Sequence, residues 1–205
     1  MHYGWGGPGL LHNTPVTPEG PLVPPGRYRL ILQVDGHRYE RPLVVRLDPN
    51  SHMSAHEAWV QYRLAALAAN AITTVTARSR ALGRLVAEVR ERIHRSRGKP
   101  RQPLTRLSRQ LNQAVRGMRA GTLEGHLGVL LGMIDGAERA PTQSQMQAFR
   151  RLQLQLRAFR SAFHGIRIRL AQFNQRLGRG EKPLKLVLQE PALLPVPREA
   201  DVGLF

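Results

Sequence analysis

Between Phe149 and Leu177 the apolar residues Phe149, Leu152, Leu156, Phe159, Phe163, Ile166, Leu170, Phe173 and Leu177 follow one another at intervals of three and four. That spacing returns each of them to the same side of an α-helix and makes a four-heptad a/d seam. A helix of this kind has to cover its seam. It packs either on other helices of its own chain or in a coiled coil between copies, as a homo-oligomer. Packing within the chain is the expectation. Thr142-Gln143-Ser144-Gln145, after Pro141, is a capping box that opens the helix, and Gly178 and Gly180 close it. Arginines 150, 151, 157, 160, 167, 169 and 176 mostly flank the seam.

The same periodicity extends upstream. Ser54, with Glu57 three residues on, forms a second capping box. From there Leu64, Leu67, Ala68, Ala71, Ile72, Val75, Leu82, Leu85, Val89 and Ile93 predict one long helix to about Arg97. Gly98-Lys99-Pro100-Arg101-Gln102-Pro103 breaks it. A second helix carries Leu104, Leu107, Leu111, Val115 and Met118. Gly121-Thr122 is the expected break before a short helix with Leu123, Leu127, Leu130 and Ile134, ended by Gly136. Gly125, Gly128 and Gly132 lie in that short helix and predict close helix packing.

Residues 1–50 read differently. The first 26 are rich in Gly and Pro and cannot be helical. In Arg27-Tyr28-Arg29-Leu30-Ile31-Leu32-Gln33-Val34, alternate residues Tyr28, Leu30, Leu32 and Val34 share one face, which predicts a half-buried strand. Asp35-Gly36 is a two-residue hairpin signal, because a type I′ turn needs positive φ at both positions. The return strand is residues 38–47, with Leu43, Val45 and Leu47 on one face. Pro42 removes a backbone donor, so an edge strand or a bulge is expected there. At the other end, Leu184, Leu186 and Leu188 suggest a short strand, and Pro191, Pro195 and Pro197 an extended tail. Three parts result: residues 1–50, a helical part over 51–180, and a tail over 181–205.

Charge follows the same division. The chain of 205 residues has a formal net charge of +17, and the excess lies in the helical part. Only Lys99, Lys182 and Lys185 are lysine; the other basic residues are arginine, which suits phosphate and carboxylate forks. There are no cysteines, which excludes disulfides, thiolate metal sites and a cysteine nucleophile. With 41% apolar residues the chain can build a core. No apolar run is long enough for a transmembrane helix, and no signal peptide is visible, so a cytoplasmic location is the default expectation.

Several of these pieces occur together in a known order. Gly20-Pro21-Leu22-Val23-Pro24-Pro25-Gly26-Arg27-Tyr28, then Val34-Asp35-Gly36, then residues 42–49 (PLVVRLDP), is similar to the C-terminal part of bacterial sortilin-like, BNR-repeat β-propeller proteins, often labelled glycosyl hydrolases. Ala140-Pro141-Thr142-Gln143-Ser144-Gln145, with Leu170, Phe173, Asn174 and Leu177, follows the same pattern, so the resemblance covers roughly residues 15–178. It implies a small Ig-like β-module with a long helical part after it. Relatives carry Asp-box propeller repeats before this module and are usually exported; this chain has no such repeats. Asn50 stands where an arginine is common, and the tail over 181–205 is outside the pattern. Any sugar-hydrolase chemistry would belong to the propeller, so the resemblance implies no catalytic residue here. It leaves two expectations open, a C-terminal remnant or a free-standing partner of a separately encoded propeller.

The residues themselves offer little for catalysis. His52 and His56 with Glu57 could share a helix face, but no third ligand stands near them and the order is not that of a zincin; a polar helix start is the better reading. Glu88 and Glu91 are flanked by Arg84, Arg92 and Arg95, which predicts ion pairs rather than acid–base work. No phosphate-binding loop and no Gly-x-Ser-x-Gly elbow is present. The expectation is therefore an α+β chain in which a small Ig-like β-module, built on a β-hairpin, precedes an antiparallel helical bundle or long helical hairpin. Its expected role is non-enzymatic: an interaction module that docks on a β-propeller domain or protein, without catalytic, cofactor-binding or metal-binding residues. The candidate contact residues are Tyr28, Arg29, Tyr39, Arg150, Arg157, Arg160 and Arg167. The competing expectation is a nucleic-acid or other polyanion binder acting through the arginine-rich helices.

Overall fold

The structure is a computed structural model, and it describes residues 20–96, 101–178 and 181–196. It has an α+β layout in which a two-stranded hairpin precedes a helical bundle. The elements are β1 (Gly26–Val34), β2 (His37–Val45), α1 (Ala55–Arg95), α2 (Arg101–Met118), α3 (Ala120–Asp135) and α4 (Gln143–Gln175). The readings of residues 1–19, of the breaker residues 97–100, of Gly180 and of Pro197 fall outside the described residues.

β1 and β2 pair antiparallel in one unbroken register from Gly26 opposite Val45 to Val34 opposite His37. Asp35 and Gly36 close the hairpin with φ of 49° and 79°, the left-handed pair that a type I′ turn demands. Pro42 sits opposite Arg29 with no bulge. It is tolerated because each strand of a two-stranded sheet has one free edge.

Both expected capping boxes are formed. At the start of α1 the Ser54 amide donates to Glu57 at 2.8 Å, and the Glu57 amide donates back to the Ser54 hydroxyl at 3.2 Å. At the start of α4 the Thr142 amide donates to Gln145 Oε1 at 2.8 Å, and the Gln145 amide to Thr142 Oγ1 at 3.2 Å. Each box satisfies two backbone donors that no helical turn can reach.

Several boundaries differ from expectation. α2 already begins at Arg101, so Gln102 and Pro103 belong to its first turn, where a proline gives up no helical hydrogen bond. The chain breaks between α2 and α3 at Arg119, with φ of 45°, and Gly121 and Thr122 are helical. Close packing does not explain Gly125 or Gly132, since a Cβ there would meet nothing within 4 Å. α4 stops at Gln175, short of Gly178, and its end tightens through Arg176 to Phe173 and Leu177 to Asn174 bonds. The segment carrying Leu184, Leu186 and Leu188 is extended chain, not a strand.

The chain divides into two compact units. The first holds residues 20–70, 128–149 and 194–196 of the described chain. Its core includes Met53, Leu130, Ile134 and Phe149, with Ala65, Ala66, Ala68 and Ala69 fully buried along α1. Two buried glutamines serve the C-terminal end of α3: Gln61 donates to the carbonyls of Ile134 (2.6 Å) and Ala137 (2.8 Å), and Gln145 to that of Met133 (2.8 Å). The Met133 and Ile134 carbonyls lie in the last turn of α3, where helical carbonyls have no partner along the helix, so the side-chain amides replace the water they would otherwise need.

The second unit holds residues 71–127 and 150–193. The seam is buried here from Leu152 through Phe159, Phe163 and Ile166 to Leu170, together with Ile72, Val75, Leu82, Leu85 and Val89 of α1 and Leu104, Leu107 and Leu111 of α2. Phe173 and Leu177 end the seam half-buried. The seam is thus covered within the chain.

Across this unit residues 181–193 form an extended strap. Asn174 grips it at both backbone groups of Leu184, donating to the carbonyl at 2.8 Å and accepting from the amide at 2.9 Å. Arg92 donates to the carbonyls of Lys182 and Pro183, and Arg84 to that of Val187. Leu184 itself is buried. Side chains thus satisfy the backbone groups that a strand neighbour would otherwise take, which is why no strand forms.

Candidate functional site

The hairpin departs most sharply from the expectation of a half-buried strand. Because opposed residues share a face, Tyr28, Leu30, Leu32 and Val34 of β1 lie on one side with Leu43, Arg41, Tyr39 and His37 of β2. Leu30, Leu32 and Tyr39 are 59%, 56% and 58% exposed, and Val34 and Leu43 are exposed as well. The opposite side carries Arg27, Arg29, Ile31 and Gln33 with Val44, Pro42, Glu40 and Arg38. There Glu40 pairs with Arg29 at 3.4 Å and with Arg38 at 2.5 Å. One face is therefore apolar with a rim of Arg41 and His37, and the other is ionic.

Only the base of the hairpin is tied down. Tyr28 is half-buried, and its hydroxyl donates to the Pro24 carbonyl at 2.6 Å. Burial, and then the neighbouring Tyr62, hold the Tyr28 phenol above its ordinary pKa. Tyr62 donates to the Pro195 carbonyl at 3.0 Å and meets Trp59 edge to face, with ring centroids 6.0 Å apart. Of the hairpin residues singled out from the sequence, Tyr28 and Tyr39 fall on the apolar face and Arg29 on the ionic one.

The four arginines singled out on α4 belong to the second unit. Arg150, Arg157, Arg160 and Arg167 are all exposed and line one flank of the seam. No carboxylate of the described residues forms a salt bridge with any of them. Elsewhere in this unit the ends of α1, α2 and α4 border an open groove of about 1270 Å³. Two of its arginines are already paired, Arg92 with Glu88 and Arg95 with Glu91, as the sequence predicted.

Two groups were not legible beforehand. Arg78 of α1 lies over the ring of Phe163, its guanidinium carbon 5.1 Å from the centroid, and no sequence signal joins residues so far apart. Asp135, at the end of α3, has Oδ1 buried without a hydrogen-bond partner. Burial pushes its carboxyl up to about 6, against the opposing pull of the Leu22 amide. The folded value lies above the unfolded one of 3.8. Ionisation therefore penalises the fold above about pH 6, and the penalty vanishes below the unfolded value. Full burial would make it about 3 kcal/mol; solvent screening of this half-buried group reduces that to about 1 kcal/mol. Asp135→Asn accordingly raises the melting temperature at pH 8 and leaves it unchanged at pH 3.5, which parallel thermal melts of the two proteins would check.

Among the described residues no group of three His, Cys, Asp or Glu side chains could hold a metal ion, and Glu57 is taken up by the Ser54 cap. No helix of the described residues is long and apolar enough to cross a membrane. No family model, curated protein or solved structure matches the chain.

Proposed function

We propose that this chain is a protein-docking module whose hairpin is completed by a β-rich partner. The observation that supports this reading is the apolar face of Leu30, Leu32, Val34, Tyr39 and Leu43, exposed on a sheet that among the described residues has two strands. A two-stranded hairpin is marginal by itself in water and gains independent stability when a further strand or a packed layer is added. Among the described residues no further strand pairs with either edge, and one face offers apolar side chains. The ionic face, with Arg29, Arg38 and Glu40, would remain toward solvent.

The resemblance to the region that follows the propeller in sortilin-like proteins makes a β-propeller domain the partner class to test first. Docking would add strand to strand through the main chain, and the apolar face would set the register. The test mixes the full chain with a recombinant sortilin-like β-propeller and follows binding by calorimetry and amide hydrogen exchange over residues 26–45. A complex that slows exchange in the hairpin, and that Leu30→Asp with Leu32→Asp weakens at least 100-fold, supports the reading. Hairpin amides already as protected as those of the α4 seam in the isolated monomer would overturn it. So would a failure to bind, or a dimer of this chain formed through the same face.

A further inference from the structure

The second unit carries a convergence of positive charge that the docking reading does not use. Phe163 is buried in the seam of α4. Arg160 stands three residues before it and Arg167 four after it, so both rise from the turns that border Phe163 on the same side of the helix. From α1, Arg78 lies across the Phe163 ring. Arg78 of α1 thus lies over a ring whose own helix carries an arginine in the turn before it and another in the turn after it. Arg78 rests over that ring, while Arg160 and Arg167 are exposed.

The electrostatics agree with this placement. Burial first, and then the charge of Arg160, weaken the hold of Arg78 on its proton. Glu190 opposes that effect, and Arg167 adds to it. Glu190 belongs to the strap, which Asn174 and Arg84 hold through its backbone further upstream. At Arg78 one carboxylate thus stands against two like charges, and the balance there stays positive. Such an arrangement is unfavourable unless an anion relieves it. Arginine forks suit the tetrahedral oxygens of phosphate better than a point charge does.

We propose that Arg78, Arg160 and Arg167 form a phosphate-binding site, in which the planar, ring-supported Arg78 orients the group and the two α4 arginines close around it. Glu190 acts as a resident competitor. The phosphate can be that of a small free anion or a link in a nucleic-acid backbone. Along the same flank Arg157 and Arg150 continue the positive line toward the start of α4, which would suit an extended chain of phosphates.

The experiment uses the full chain and two probes, inorganic pyrophosphate and a single-stranded oligonucleotide of mixed sequence, at low salt. Arg160→Gln and Arg167→Gln are expected to weaken binding roughly tenfold each and to lower the log–log salt slope for the oligonucleotide by about 1 each. Glu190→Gln is expected to strengthen binding several-fold. Arg109→Gln with Arg116→Gln, on exposed positions of α2, removes the same charge from a helix that contributes no member to the cluster and is expected to leave affinity within about twofold. Loss with both probes supports a site for phosphate from either source; loss with the oligonucleotide alone supports the nucleic-acid backbone. Equal losses from the cluster and α2 pairs would reduce the effect to net charge and overturn the site. Absence of binding to both probes would overturn it too. Circular dichroism of every variant checks that the helices persist.

Discussion

Phe159→Ala is expected to lower the unfolding free energy by about 3–5 kcal/mol. Phe159 is 2% exposed and is among the largest fully buried side chains of the molecule. It lies on the seam between Leu156 and Phe163, in the same unit as the buried faces of α1 and α2. Deleting the ring removes its transfer free energy and also leaves a hole that flanking helical backbone cannot close. Leu154→Ala is the matched control. It is on the same helix and also apolar, but 63% exposed, and its loss should stay within about 0.5 kcal/mol. Urea denaturation of both variants settles the comparison. A cost below about 1 kcal/mol for Phe159→Ala would mean that the seam is not a packed core.

The strap should prove almost as sensitive. Leu184→Ala removes a side chain that is 2% exposed, at an expected cost of about 2–4 kcal/mol. Asn174→Ala leaves the Leu184 amide and carbonyl without their partner, which costs about 1–3 kcal/mol. The two changes act on one anchor, so the double variant should lose less than the two losses added together. The signature that separates a strap from ordinary core damage is local. In Asn174→Ala, protease cleavage within residues 181–193 should speed up while the exchange of seam amides stays slow. If the seam amides accelerate equally, the strap is an integral part of the core.

Much of this architecture could be read from residues near one another in the chain. The Asp35-Gly36 turn and the two capping boxes depend on contacts within about one helical turn or one hairpin, and the seam announces itself by the spacing of its residues. What escaped the reading depends on distant partners. Leu184, Leu186 and Leu188 alternate as a strand would, yet the backbone of Leu184 is taken by Asn174 and that of Val187 by Arg84. Gly121 looked like the break before α3, but the left-handed residue is Arg119, whose type gives no warning. The pattern of the hairpin correctly placed its apolar residues on one face, because alternation reports a face; it does not report whether anything covers that face. The arginine cluster was half legible. Arg160 and Arg167 stood out on α4, while Arg78 joined them only through the ring of Phe163.

The two long helices begin with caps of the same shape but different chemistry. Glu57 is an acid, and its bonds to Ser54 hold its carboxyl below the ordinary range, so the contribution it makes is present above the unfolded pKa and is lost as pH falls through the folded one. Gln145 has no proton to gain and keeps its bonds at any pH. Acid would therefore fray the first turn of α1 while the first turn of α4 stays closed. The chain has an acid-labile and an acid-proof helix start, and the labile one belongs to the helix that follows the hairpin.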